Sequence, residues 1–219
     1  MQKTPIEYGK YYHIFNKGNN SENLFFKPEH YRHFLKLYEI YIEPVAETFA
    51  WCLMRNHFHI FIRIKDENEI GFLNPDNAKR EELDIKWKTF FPEKGDTKFY
   101  KKPVPINMFK HLFNAYSSWF NLKTNRKNKL FKKDFERILV KDREYFRNLI
   151  IYINNNPVHH GFVEHPIEYP WSSYKTVISE KSTKLKRKEI LNSFDNIENF
   201  KYIHNQKQNY EIIKNYIIE

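Results

Sequence analysis

The chain has 219 residues, of which 41% are hydrophobic and 18% aromatic, enough for one domain with a substantial core. Lys and Arg exceed Asp and Glu by 37 to 27, which favours a polyanionic partner such as nucleic acid, although a merely soluble basic protein fits the same balance. The single cysteine, Cys52, excludes a disulfide framework and a zinc site built on several thiolates. No apolar run is long enough to span a bilayer and no targeting segment is visible, so we expect a cytoplasmic protein with no membrane partner.

The first part of the chain predicts three strands and a helix. Pro28 opens a segment with apolar residues at helical spacing, and Pro44 closes it. Arg55-Asn56 separates two strand-like runs and predicts a hairpin. The predicted strands cover residues 11–16, 45–54 and 57–64.

The second part begins with a predicted surface excursion over 65–105, where periodicity fades and charge rises. Helical spacing resumes over 106–121, and a fourth strand is predicted over 135–140. A further helix runs from Asp142, as its N-cap, to the residue before Pro157. This order predicts an α+β fold: a ferredoxin-like or RRM-like βαββαβ antiparallel sheet with helices on one face and an added helix.

The third predicted strand contains two histidines separated by one residue. Side chains on a strand alternate between faces, so His57 and His59 share one face while Phe58 and Ile60 face a core. Two imidazoles on one face can hold a divalent cation if a third ligand is near. They also fit a polar, half-exposed strand face.

The added helix offers a third ligand and a reactive group. Tyr152 and Asn156 are one turn apart and lie on the same side. If this helix packs on the histidine face, the Asn156 carboxamide completes a mixed nitrogen and oxygen ligand set, and Tyr152 lies beside it. A phenolic oxygen beside a cation indicates phosphoryl transfer through a covalent phosphotyrosine. Singly, Tyr152 fits packing and Asn156 fits helix termination, so the hypothesis depends on their combination.

These residues carry a family resemblance. Asn56-His57-Phe58-His59 resembles the HUH motif (His, hydrophobic, His) of single-tyrosine transposases. Three other segments are similar to the REP-associated tyrosine transposases: residues 13–19, residues 152–158 with Gly161, and residues 169–174. The resemblance implies an HUH tyrosine transposase domain over 1–177 and leaves 178–219 as a basic, helical C-terminal extension.

The resemblance implies that His57 and His59 bind Mg²⁺ or Mn²⁺, that Asn156 replaces a metal-binding glutamine of the wider superfamily, and that Tyr152 is the nucleophile. It implies cleavage of single-stranded DNA, often beside a hairpin, to a 5′-phosphotyrosine and a free 3′-hydroxyl. Arg55 departs from the proline frequent in relatives and adds a candidate phosphate contact. The sequence is compatible with both a monomer and a homodimer.

Residues 121–140 carry seven basic and two acidic side chains. We expect this basic stretch to follow the phosphate backbone of DNA, which positions DNA without reading its sequence. A solvated loop is the alternative. With Arg55, the candidate DNA contacts are Lys123, Arg126, Lys127, Lys129, Lys132, Lys133 and Arg137.

Two other functions fit the sequence. A non-catalytic module can use a ferredoxin-like sheet to bind single-stranded nucleic acid. An HUH nickase of plasmid transfer or replication initiation uses the same chemistry for a different purpose. A covalent protein–DNA adduct separates the first of these from an enzyme.

Overall fold

The computed structural model describes residues 4–74, 87–92, 97–132 and 134–206. Within these ranges an antiparallel sheet has four strands: β1 (Tyr11–Lys17), β2 (Ala46–Leu53), β3 (His57–Ile64) and β6 (Glu136–Val140). The strand order is β2-β3-β1-β6. A small second sheet pairs β4 (Phe72–Leu73) with β5 (Thr89–Phe90). The predicted α+β class is confirmed.

Six α-helices accompany the sheets in the described residues. The three long ones are α1 (Pro28–Tyr41), α2 (Pro105–Thr124) and α3 (Arg143–His159). Three short ones follow: α4 (Tyr174–Ile178), α5 (Arg187–Ser193) and α6 (Ile197–Asn205). None of these helices combines the length and apolar character needed to cross a membrane.

The first face of the four-stranded sheet packs against α1 and α2. Alternate residues of β3, including Phe58 and Ile60, enter this core together with Phe34 of α1 and Tyr116 of α2. Burial of each such side chain contributes roughly 1.5–3 kcal/mol. The apolar residues of β3 therefore lie where the period of two predicts them.

The second face of the sheet packs against α3 and the C-terminal helices. Phe49 and Phe61 of the sheet share a buried cluster with Ile153 of α3, and with Phe194 and Phe200 from the C-terminal segment. Residues 178–206 thus supply part of a core that also contains the residues around Tyr152.

One end of α3 agrees with the prediction and the other does not. Asp142 is the N-cap as predicted, since its side chain accepts a hydrogen bond of 2.7 Å from the Tyr145 N–H. The predicted end before Pro157 is wrong, because α3 continues to His159. Pro157 lies in the last turn, where its missing N–H forfeits only the bond to the Ile153 carbonyl.

The predicted surface excursion is partly structured. The β4–β5 hairpin lies within it, and the Trp87 ring packs 5.5 Å from Tyr41 and 4.8 Å from His111, between ring centroids. Its segments 75–86 and 93–96 lie outside the described residues. The following helix begins at Pro105 and ends at Thr124, where Asn125 adopts a left-handed conformation with φ of 53°, a common helix C-terminus.

Candidate functional site

The two histidines of β3 meet the added helix on the second face of the sheet. His59 is almost fully buried, and its Nε2 lies 3.4 Å from the Tyr152 hydroxyl. His57, at the start of β3, places its Nε2 3.1 Å from Oδ1 of Asn156. One turn of α3 thus presents Tyr152 and Asn156 to successive histidines of the same strand face. The structure brings together all four groups that the sequence predicted for the site.

The tautomer of His57 leaves a lone pair facing Asn156. Its Nδ1 lies 2.8 Å from Oδ1 of Asn56, and because a carboxamide oxygen only accepts, Nδ1 is the donor. In a neutral ring Nε2 is then an acceptor, and it faces a second acceptor, Oδ1 of Asn156. The amide nitrogen Nδ2 of Asn156 is buried without a hydrogen-bond partner among the described residues.

A divalent cation between these two groups would be coordinated by the lone pairs of Nε2 and Oδ1. Two adjacent ligands at about 2.1 Å from an octahedral ion are separated by about 3.0 Å, which matches the separation of Nε2 and Oδ1. Within the described residues, no three His, Cys, Asp or Glu side chains form a group able to hold a metal ion. A metal site here therefore depends on Asn156 as the third ligand, and the donor set fits a divalent cation.

His59 belongs to a buried chain of hydrogen-bonding groups. Its Nδ1 lies 2.9 Å from Nε2 of His13, a fully buried residue of β1. Burial lowers the pKa of His13 to about 3. Burial also holds the pKa of His59 well below its usual value, and the neighbouring His13, His57 and His160 add to this effect. Both rings are consequently neutral near pH 7, the state that a metal ligand requires.

Buried polar contacts fix α3 in front of the histidines. The Ser173 hydroxyl donates to Oδ1 of Asn154 at 2.8 Å and accepts from the Trp51 N–H at 3.0 Å. Nδ2 of Asn154 lies 3.4 Å from Nε2 of His204 on α6. The helix that carries Tyr152 is therefore linked to the edge of β2 and to the C-terminal helix, two residues from the candidate nucleophile.

The basic stretch, residues 121–140, runs beside the end of the sheet where His57 lies. Lys17, the last residue of β1, is the cross-strand partner of His57, and its carbonyl accepts from the Lys132 N–H at 2.9 Å. Gly18 forms a bridge with Phe131. Because neighbouring strands are separated by about 4.8 Å, Lys132 begins about 10 Å from His57. Arg55, exposed in the β2–β3 turn, lies at this end as well.

The candidate DNA contacts divide into two groups. Arg126 forms an ion pair with Glu22, and Nε of Arg137 donates to the Thr4 carbonyl, so both guanidinium groups also serve the fold. Lys133 lies outside the described residues. Five members are exposed, and these are Arg55, Lys123, Lys127, Lys129 and Lys132.

Comparison with known proteins gives a likeness of fold. No family model matches the chain, and no curated protein matches it. A solved structure of a REP-associated tyrosine transposase bound to a REP hairpin is similar, with a TM-score of 0.53 and 14% sequence identity. The match covers 82% of this chain and 87% of that one. The likeness shows a shared fold.

Sequence reasoning missed several residues that the structure brings to the site. His13 belongs to the predicted first strand and Lys17 directly follows it, but only the β1–β3 register, which pairs Phe15 with His59, places them beside the histidines of β3. His160 follows α3 with its ring centroid 5.1 Å from that of His57. The alternation of β1 gave a usable signal for His13, since its side chain shares a face with Lys17.

Proposed function

We propose that the protein is a divalent-metal-dependent endonuclease and strand transferase for single-stranded DNA, of the HUH tyrosine transposase type. The observation that carries the proposal is the convergence, within one chain, of the Tyr152 hydroxyl with His57, His59 and Asn156. The likeness of fold to a REP-associated tyrosine transposase supports it. The strand order β2-β3-β1-β6 supports a ferredoxin-like description of the fold.

In this proposal Mg²⁺ or Mn²⁺ is held by Nε2 of His57, Nε2 of His59 and Oδ1 of Asn156. When bound, the cation polarises a phosphate oxygen and stabilises the charge that develops on it. The neutral state of His59 favours ligation because no proton has to leave the ring first. All these ligands come from one chain, so the proposed site is complete without a second copy, and a homodimer would carry two such sites.

Tyr152 is the nucleophile of the proposed reaction. Its phenolic oxygen forms a bond to phosphorus and gives up its proton, while the bond from phosphorus to the 3′-oxygen breaks and that oxygen takes up a proton. The products are a 5′-phosphotyrosine and a free 3′-hydroxyl. Since one phosphodiester replaces another, a 3′-hydroxyl can later displace Tyr152 and rejoin the strand without an external energy source.

The substrate is proposed to be single-stranded DNA, including strands that carry a hairpin. The solved neighbour is bound to a REP hairpin, and the exposed lysines between α2 and β6 lie at the His57 end of the sheet. Charged side chains of this kind hold the phosphate backbone in register while leaving the bases to other contacts. The proposal gives them the role of delivering one phosphate to Tyr152.

The proposal is tested by incubating the protein with Mn²⁺ and single-stranded oligonucleotides drawn from the DNA that flanks its gene. We expect a species that survives denaturing electrophoresis and contains both protein and DNA. Tyr152→Phe should abolish this species while retaining DNA binding. Tyr145→Phe, which removes the hydroxyl of another buried tyrosine on α3, should still form the protein–DNA species. DNA binding without any adduct would support the non-catalytic module instead.

A further inference from the structure

His13 is a buried polar residue that neither the HUH motif nor the proposed chemistry uses. Its side chain is fully buried on the face of β1 that packs toward α3. Its ring stacks on that of His59 with centroids 5.1 Å apart, and lies 4.8 Å from the ring of Phe15. A Leu or Phe at this position would satisfy such surroundings without bringing a polar group into them.

Burial of His13 is costly because only one of its nitrogens is satisfied. Nε2 meets Nδ1 of His59 at 2.9 Å, whereas Nδ1 has no hydrogen-bond partner among the described residues. A buried polar nitrogen without a partner lowers the stability of the fold, because it loses its hydrogen bond to water and gains none in return. Packing alone does not explain a buried residue that lowers stability in this way. The hydrogen bond of its Nε2 joins it to His59, a candidate metal ligand.

In both histidines of the site, His57 and His59, a neighbouring side chain holds Nδ1 of the ring. Nδ1 of His57 is held by Asn56, which leaves Nε2 of His57 directed at Asn156. Nδ1 of His59 is held by His13, which leaves Nε2 of His59 directed at Tyr152. Metal-binding histidines commonly donate their second ring N–H to a fixed acceptor, which sets the tautomer and the ring orientation.

We propose that His13 is a positioning residue, whose Nε2 accepts the Nδ1–H of His59 and so holds the Nε2 lone pair of His59 ready for the cation beside Tyr152. The inference rests on the proposed function and extends it to a residue of β1. His13 itself touches neither DNA nor the cation. Its role is to fix the tautomer of His59 before either of them binds.

Two variants separate positioning from a structural role. The amide of Gln extends to about the place of a histidine Nε2, whereas the shorter amide of Asn extends only to about the place of Nδ1. His13→Gln can therefore offer an acceptor to His59, and His13→Asn cannot. Both variants bury one carboxamide in the same apolar cluster, so a structural role would affect them alike.

The measurement is the affinity of the DNA-free protein for Mn²⁺, by isothermal titration calorimetry, with folding checked by circular dichroism. We expect His13→Asn to weaken Mn²⁺ binding by about 10–100-fold, and His13→Gln to stay within about threefold of the unmodified protein. His30→Asn, which alters a buried histidine of α1, is the control and should leave the affinity unchanged. Equal Mn²⁺ affinities for His13→Asn and His13→Gln would overturn the inference.

A second measurement needs no variant at position 13. Long-range ¹H–¹⁵N spectra of the unmodified, metal-free protein report which ring nitrogen of His59 carries the proton, with the resonance assigned by its loss in His59→Gln. We expect protonated Nδ1 and unprotonated Nε2; the opposite tautomer would overturn the inference. Failure of the unmodified protein to form a DNA adduct would overturn the proposed function, whereas an adduct with the wrong His59 tautomer would overturn only the role of His13.

Discussion

Neutralising the exposed lysines of the basic stretch should reduce the salt dependence of DNA binding. The variant is Lys127→Gln, Lys129→Gln and Lys132→Gln together; these side chains are exposed, so their loss removes no buried contact. Each phosphate contact with a single strand contributes about 0.7 to the slope of log K against log salt. If all three lysines contact phosphates, the slope should fall by about 2.

This change in slope has a measurable consequence for affinity. Between 50 and 200 mM salt, the unmodified protein should lose about 20-fold more affinity than the triple variant. Fluorescence anisotropy with a labelled oligonucleotide, in EDTA to prevent cleavage, gives the slope directly.

A control with the same net charge tests whether position matters. Lys181→Gln, Lys188→Gln and Lys201→Gln remove three exposed charges from the C-terminal segment and should leave the slope near its original value. Equal slopes for the two triple variants would refute the assignment of the 121–140 stretch as a backbone contact.

Three further predictions concern the site and the segment that supports it. Asn156→Leu should weaken Mn²⁺ binding and abolish the DNA adduct, because the proposed site then lacks its oxygen ligand. Calorimetry measures the Mn²⁺ affinity and denaturing gels detect the adduct; an unchanged Mn²⁺ affinity would contradict the assignment of Asn156 as a ligand. Phe200→Ala should lower the free energy of unfolding by about 3–5 kcal/mol, since this ring is fully buried beside α3. Urea denaturation measures this free energy, and a loss below about 1 kcal/mol would mean that α6 is not part of the core. Burial lowers the pKa of His204 to about 4, so this residue contributes stability that is fully present above pH 6.5 and is lost as the pH falls toward 4, by about 1.4 kcal/mol per unit. Relative to His204→Gln, the unmodified protein should therefore lose stability over this window, and parallel pH profiles would contradict the prediction.

The local periods of the sequence were enough to predict which residues share a face. The alternation of β3 put His57 and His59 together, and the helical turn put Tyr152 beside Asn156. Neither pattern states which face of the sheet the helix covers. That depends on the burial of Phe61 and Ile153 in one cluster, which is a property of tertiary packing.

The residues that support the site were beyond the reach of local patterns. His13 meets His59 only through strand register across 46 positions of sequence, and His204 meets Asn154 across 50. The partner of Arg126 is similarly remote in the sequence: Glu22 follows β1, and no spacing rule connects the two. Contacts between distant segments decide which charges stay available for a ligand.

The most direct test of the central claim is to locate the covalent bond by mass spectrometry. The protein is incubated with Mn²⁺ and a cleavable oligonucleotide, digested with nuclease and protease, and the remaining nucleotide mass is mapped on the peptides. We predict a nucleotide linked through its 5′-phosphate to Tyr152, and to no other tyrosine. A nucleotide on a different residue, or cleaved DNA with no protein-linked nucleotide, would contradict the account.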